Sequence, residues 1–149
     1  MTAEKIAKII NEWSPECCAE EWDNVGLLIG DAAQPVRKVL VALDATEAVI
    51  GEAVAGNFDF IITHHPLIYD PLKKITSADP TGRKILTLIR NNIGLYCAHT
   101  NLDKAPGGVN DCLAEKLSLN KITPLIPETQ NESFFEGGSG ETFFSKKVS

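Results

Sequence analysis

Apolar residues at the start of the chain fall three and four positions apart. Ile6, Ile9, Ile10 and Trp13 form one stripe, Thr2 and Glu4 suit a helix start, and Pro15 stops the run. A loop over "PECCAEEWDN" leads to "VGLLIGD", a short strand closed by Gly30 and Asp31. The period then changes. "KVLVALDA", residues 38–45, is β-branched and continuously apolar, which predicts a strand covered on both faces, as in a parallel sheet. Thr46 caps the next helix, with Glu47 in its first turn and Ala48, Val49, Ile50, Ala53 and Val54 along its buried side. "NFDFIIT" is the following strand, and "DPTGRKILTLIRNN" a helix with Ile85, Leu86, Leu88 and Ile89 inward. "GLYCAH" reads as another buried strand, and "GGVNDCLAEKL", 107–117, as the last helix.

Strands that alternate with helices of this length describe βαβ units. Right-handed crossovers then stack the strands as a mostly parallel sheet with helices on both faces, a three-layer αβα arrangement. The fold class is α/β. A chain of 149 residues with 44% hydrophobic content can bury a core of its own without disulfides, so one domain is expected, over residues 1–126. Residues 127–149 differ: rich in Gly, Ser, Glu and Thr, with two Phe-Phe pairs and no clear period, they form a tail or the start of a further region.

Charge and cysteine narrow the function classes. Fourteen basic against twenty acidic residues leave a net charge of −6, with basic residues adjacent only in short pairs such as Lys73 and Lys74. Binding to a phosphate backbone needs a concentrated positive face, so nucleic acid is not an expected partner. Cys17, Cys18, Cys97 and Cys112 have no Cys-x-x-Cys spacing, which argues against a zinc ribbon or a redox pair and for a reduced, cytoplasmic chain. The N-terminus has charge every few residues and no apolar core of a signal peptide. The longest apolar run falls far short of the ~20 residues a membrane span needs, so no membrane partner is expected.

The candidate chemistry sits on three histidines, His64, His65 and His99, all at carboxyl ends of expected strands, where ligands collect in open parallel sheets. Taken singly, each is a polar residue reappearing after an apolar run; three together point to a site. Consecutive side chains of a regular strand diverge, but Pro66 breaks the strand and lets the imidazoles of His64 and His65 splay toward two neighbouring points, which suits two ions better than one. Asp103, in "AHTNLD", offers a hard oxygen ligand or else an Asx turn before "KAPGG". Imidazole with carboxylate suits zinc, iron(II), manganese or cobalt, and the lack of nearby cysteine argues against a structural thiolate site. Asp44 either caps the helix at 46 or orients a ligand histidine. In "WDNVG", Trp22 reads as packing, while Asp23 and Asn24 stay open. No dinucleotide or P-loop glycine pattern is written here, and no G-x-S-x-G elbow.

"EEWDNVGLLIGD", "VALDAT", "DFIITHHPLIY" and "AHTNLDKAPGGVND", in this order and spacing, resemble the N-terminal half of the GTP cyclohydrolase I type 2, or NIF-three-like, family, over roughly residues 1 to 120. The resemblance implies a dinuclear divalent-metal site in an α/β fold, in a cytoplasmic protein that assembles as a toroidal homohexamer. On the matching positions His64, His65 and Asp103 would be metal ligands, and His99 would line the site and serve in the second shell or in proton transfer. It also implies a metal-dependent hydrolase acting on a small-molecule or nucleotide substrate, the alternative being a non-catalytic metal-binding or regulatory protein or a truncated family member. Family members carry a second half that supplies another histidine and a glutamate to the metals, and no histidine follows His99 in this sequence.

Overall fold

The computed structural model describes residues 1–124 and 146–147. Helix α1 (Ala3–Trp13) opens at Thr2, whose hydroxyl accepts from Lys5 N, and is followed by a 3₁₀ turn (Glu16–Cys18). Strand β1 (Gly26–Ile29), strand β2 (Val39–Ala42), helix α2 (Glu47–Ala55), strand β3 (Phe60–Thr63), helix α3 (Pro80–Arg90) and strand β4 (Gly94–Cys97) come next. Two further helices, α4 (Thr100–Lys104) and α5 (Val109–Lys116), end the domain, and β5 (Thr123–Pro124) pairs antiparallel with β6 (Lys146–Lys147).

The four main strands lie in the order β1-β4-β3-β2. β2, β3 and β4 run parallel, with Val39 opposite Phe60 and Phe60 opposite Gly94, while β1 pairs antiparallel with β4 across an irregular register between Leu27 and Ile29. The α/β expectation therefore holds, as a mixed sheet. One face packs Ile61, Leu95 and Ile29 against Ile50 and Ala53 of α2 and Ile85 and Leu88 of α3. The other packs Phe60, Tyr96 and Ala98 against Ala3 and Ile6 of α1, with Leu102 of α4 at its margin.

Several expectations are corrected. β2 is not covered on both faces: it is the sheet's edge, and Val41 remains 73% exposed, with no element among the described residues laid over that end of the sheet. Ile89 is 55% exposed, flanking the buried Ile85 and Leu88 and lining an apolar groove with Ile85. Ile9 and Trp13 are likewise exposed, leaving Ala3 and Ile6 as the buried residues of α1. Helix α4 went unforeseen, being too short to show a period. It turns sharply into α5 at Gly108, where a Cβ would lie 2.0 Å from the Leu102 carbonyl oxygen. The boundary drawn at residue 126 and the tail beyond it lie outside the described residues.

Candidate metal centre

Strand β3 stops at Thr63, so His64 and His65 follow a strand that has already ended. The Thr63 hydroxyl donates to the His65 carbonyl at 3.0 Å, His65 N donates to Leu43 O at 3.0 Å, and Ala98 N donates to Thr63 O at 3.0 Å. This loop frees the histidine pair from strand alternation and stitches it to the ends of β2 and β4. His99 follows β4 directly and precedes α4, with its backbone N–H donating to Asn101 Oδ1.

The three rings converge. Centroids of His64 and His65 are 5.0 Å apart, His64 and His99 5.0 Å, and His65 and His99 5.6 Å. One ligating nitrogen from each lies within 4.8 Å of the others, so the three could hold a metal ion. The second nitrogens show why the rings face one another. His64 Nδ1 lies 3.0 Å from the Ala98 carbonyl oxygen, His65 Nδ1 2.8 Å from Asp44 Oδ1, and His99 Nδ1 2.9 Å from Asp23 Oδ1. A carbonyl or carboxylate oxygen only accepts, so each Nδ1 is placed to donate and each Nε2 is left for a ligand. Three imidazoles oriented by outer acceptors are what metal ligation requires.

Three carboxylates complete the surroundings. Asp103 Oδ1, on α4, is 3.6 Å from His64 Nε2 and so can share an ion with it. Asp44 does not cap α2, because Thr46 takes that role by accepting from Val49 N; its side chain instead holds His65. Asp23 is the residue that the pattern of the chain left unassigned. Its side chain is 0% exposed, and its second oxygen accepts from both the backbone N–H and the hydroxyl of Thr100. Burial pushes its carboxyl up, but the bonds from Thr100 and His99 prevail and hold it below the usual carboxylate range, so it is an anion at neutral pH. Carboxylates behind the imidazoles of His65 and His99 favour a cation in front of them. Cys97 donates its thiol to the His64 carbonyl, and burial, followed by the nearby Asp23 charge, pushes it up to about 12; it stays a thiol and offers no thiolate.

Trp22 is not packed inside as expected. It is 57% exposed at the rim of the cluster, its ring 6.4 Å from His99 and 6.1 Å from Tyr69. The chemistry also lies apart from the apolar groove of about 710 Å³ between Ile29, Ile75, Ile85 and Ile89 on the far side of β1.

Fold and side chains together define an α/β protein with a histidine cluster, braced by carboxylates, at the carboxyl ends of its parallel strands. The chain belongs to the Duf34/NIF3 (NGG1p interacting factor 3) family, which matches residues 1–146. It is similar to proteins named GTP cyclohydrolase 1 type 2 homolog: 43% identical over 127 residues to that of Bacillus subtilis (strain 168), covering 85% of this chain and 34% of that one. To that of Clostridium perfringens (strain 13 / Type A) it is 46% identical over 121 residues, covering 81% and 46%. Among solved structures, a Bacillus cereus protein related to NIF3 superposes with a TM-score of 0.81 at 44% identity, over 87% of this chain and 35% of that one. Reduced HcgD from Methanocaldococcus jannaschii gives 0.78 at 40% identity, over 85% and 50%. The chain thus spans a third to a half of the relatives it matches, and the family read from "ITHHPLIY" and "HTNLD" is borne out.

Proposed function

We propose that the protein binds divalent metal through His64, His65, His99 and Asp103 and uses it in a hydrolytic reaction. The observation that carries this reading is the convergence of three rings with an oxygen acceptor within 3.0 Å of each Nδ1, which leaves each Nε2 for a ligand. Zinc, iron(II), manganese and cobalt all suit nitrogen with carboxylate oxygen. Two ions are proposed, because His64 takes part both in the triad and in the pairing with Asp103, two donor groups that overlap at one residue. The chemistry an ion held by these residues would supply is activation of water as a nucleophile near neutral pH.

The chain's own residues do the rest. Asp23 and Asp44 orient His99 and His65, and Asp103 offers a carboxylate oxygen beside His64. His99 was assigned to proton transfer by the family resemblance; its reach to the other two rings supports counting it among the ligands as well. A nucleotide or other small molecule is the proposed substrate, a reading supported by the names of the relatives. Homo-oligomeric assembly is part of the proposal, the exposed apolar edge at Val41 and Leu43 supporting association and the family resemblance alone suggesting a hexamer. Among the described residues no helix is long and apolar enough to cross a membrane; a cytoplasmic location belongs to the same proposal.

Metal binding without turnover is the second reading, which the same histidine cluster supports equally well. Two measurements separate the readings. Elemental analysis of the H64A/H65A variant should show metal lost relative to wild type, and unchanged content would reject the site. Hydrolysis of nucleotides and generic phosphoesters with added Mn²⁺, Zn²⁺ or Fe²⁺ should vanish in the same variant; wild-type protein that holds metal and turns over none of them supports binding alone.

A further inference from the structure

Two large aromatic side chains stand in solvent beside the histidines. Trp22 is 57% and Tyr69 51% exposed, and their rings lie 6.1 Å apart at an interplanar angle of 50°. Exposed aromatic surface is unfavourable in water, and here it is held in place rather than left to collapse. Trp22 precedes Asp23, whose carboxylate is bonded to His99 and Thr100. Tyr69 follows Ile68, whose carbonyl accepts from Asn24 Nδ2 at 2.6 Å, and Asn24 N in turn donates to Asp23 Oδ1 at 2.8 Å. One hydrogen-bonded chain therefore ties both aromatic residues to the cluster.

We propose that Trp22 and Tyr69 form a stacking platform for the planar heteroaromatic ring of the molecule on which the metal centre acts. The proposal rests on the metal reading above and names its ligand class. Two observations select a ring over an acyl chain or a sugar phosphate. Paired exposed aromatics bind π-faces with little regard to substituents. The Trp22 ring also lies only 6.4 Å from His99, in T-shaped orientation, so a ring stacked on the indole lies beside the cluster. The group presented to the metal is then an oxygen or nitrogen at the ring's edge, and a phosphate is not required for binding.

Inosine, a nucleoside whose bicyclic base carries an edge carbonyl, is the probe, and ribose 5-phosphate the control. The chain has two tryptophans, and Trp13 lies elsewhere, its indole N–H donating to Pro106 O at 3.0 Å. In the ¹⁵N–¹H spectrum of zinc-loaded protein, inosine should shift the Trp22 indole peak and leave the Trp13 peak in place. By calorimetry W22A should weaken inosine binding about tenfold or more while W22F stays within about threefold, as stacking requires. Inosine affinity unchanged in W22A, or ribose 5-phosphate binding as tightly as inosine, would overturn the proposal. So would a Trp22 peak that moves with protein concentration and ignores inosine, which would make the surface a contact between copies. Zinc content measured on the same samples keeps the two readings apart. Zinc-loaded protein whose Trp22 ignores inosine overturns the platform alone, whereas inosine held at Trp22 by protein that takes up no zinc supports the platform and overturns the metal centre.

Discussion

The two ends of the parallel strands use carboxylates in opposite ways. At the amino end, Asp59 opens β3 and turns its Oδ2 toward Arg37 N and Lys38 N, at 2.8 and 3.0 Å, while its carbonyl accepts from Gly94 N and from the Gln34 amide. These partners are almost all backbone, and every bond closes a loop of the fold. At the carboxyl end, Asp23 and Asp44 accept from imidazoles whose other nitrogens remain available to a ligand. A carboxylate that ends a hydrogen-bond chain in the backbone stabilises a turn. One that sits behind an imidazole aims its lone pair at something the protein does not itself contain.

That contrast can be broken from either end. The largest effect should come from H64A/H65A: metal affinity falls beyond measurement, while urea unfolding of metal-free protein shifts by no more than about 1 kcal/mol, since only partly solvated bonds are lost. A shift of several kcal/mol would make these histidines part of the scaffold. Next is D44N, which keeps the shape of a half-exposed side chain but weakens its hold on His65. Metal affinity should drop about 10–100-fold with stability unchanged, and isothermal titration with Zn²⁺ reads it.

The smallest effect on the site should come from D59A. Metal affinity should match wild type, while unfolding stability at neutral pH falls by about 2 kcal/mol through the lost charged hydrogen bonds. The acid response gives the sign. The Arg37 backbone N–H, with that of Lys38 and the Arg37 charge, holds the Asp59 carboxyl below its ordinary value despite partial burial. Its contribution is therefore present above an unfolded value of about 3.9 and lost as pH falls through the lower native value. Urea midpoints followed from pH 6 to pH 2 should fall less steeply in D59A than in wild type, and parallel curves would deny Asp59 this role.

Much of this was legible in the chain. Runs rich in apolar residues at 38–45, 57–63 and 94–99 mark the parallel strands, and the stop at Pro66 marks where the histidines can leave strand geometry. What the pattern could not reveal was which strand lies at the edge. Val41 is as apolar as Ile61, yet one is exposed and the other buried, because strand order is set by crossovers and not by composition. The histidines and Asp103 were visible as residue types at strand ends. Asp23 was not, since its partners His99 and Thr100 are more than seventy-five residues away along the chain, and only the antiparallel addition of β1 beside β4 brings them together. Trp22 misled for a related reason: a tryptophan among polar residues suggests a packed anchor, and its exposure follows from that same placement at the rim.

The account depends on imidazole Nε2 atoms meeting at one cation. X-ray absorption at the zinc edge of the reconstituted protein tests it most directly. The predicted spectrum has a first shell of nitrogen and oxygen at about 2.0–2.1 Å with the outer-shell scattering of at least two imidazoles, reduced in H64A/H65A. A shell containing sulfur at about 2.3 Å, or oxygen alone without imidazole scattering, would contradict it.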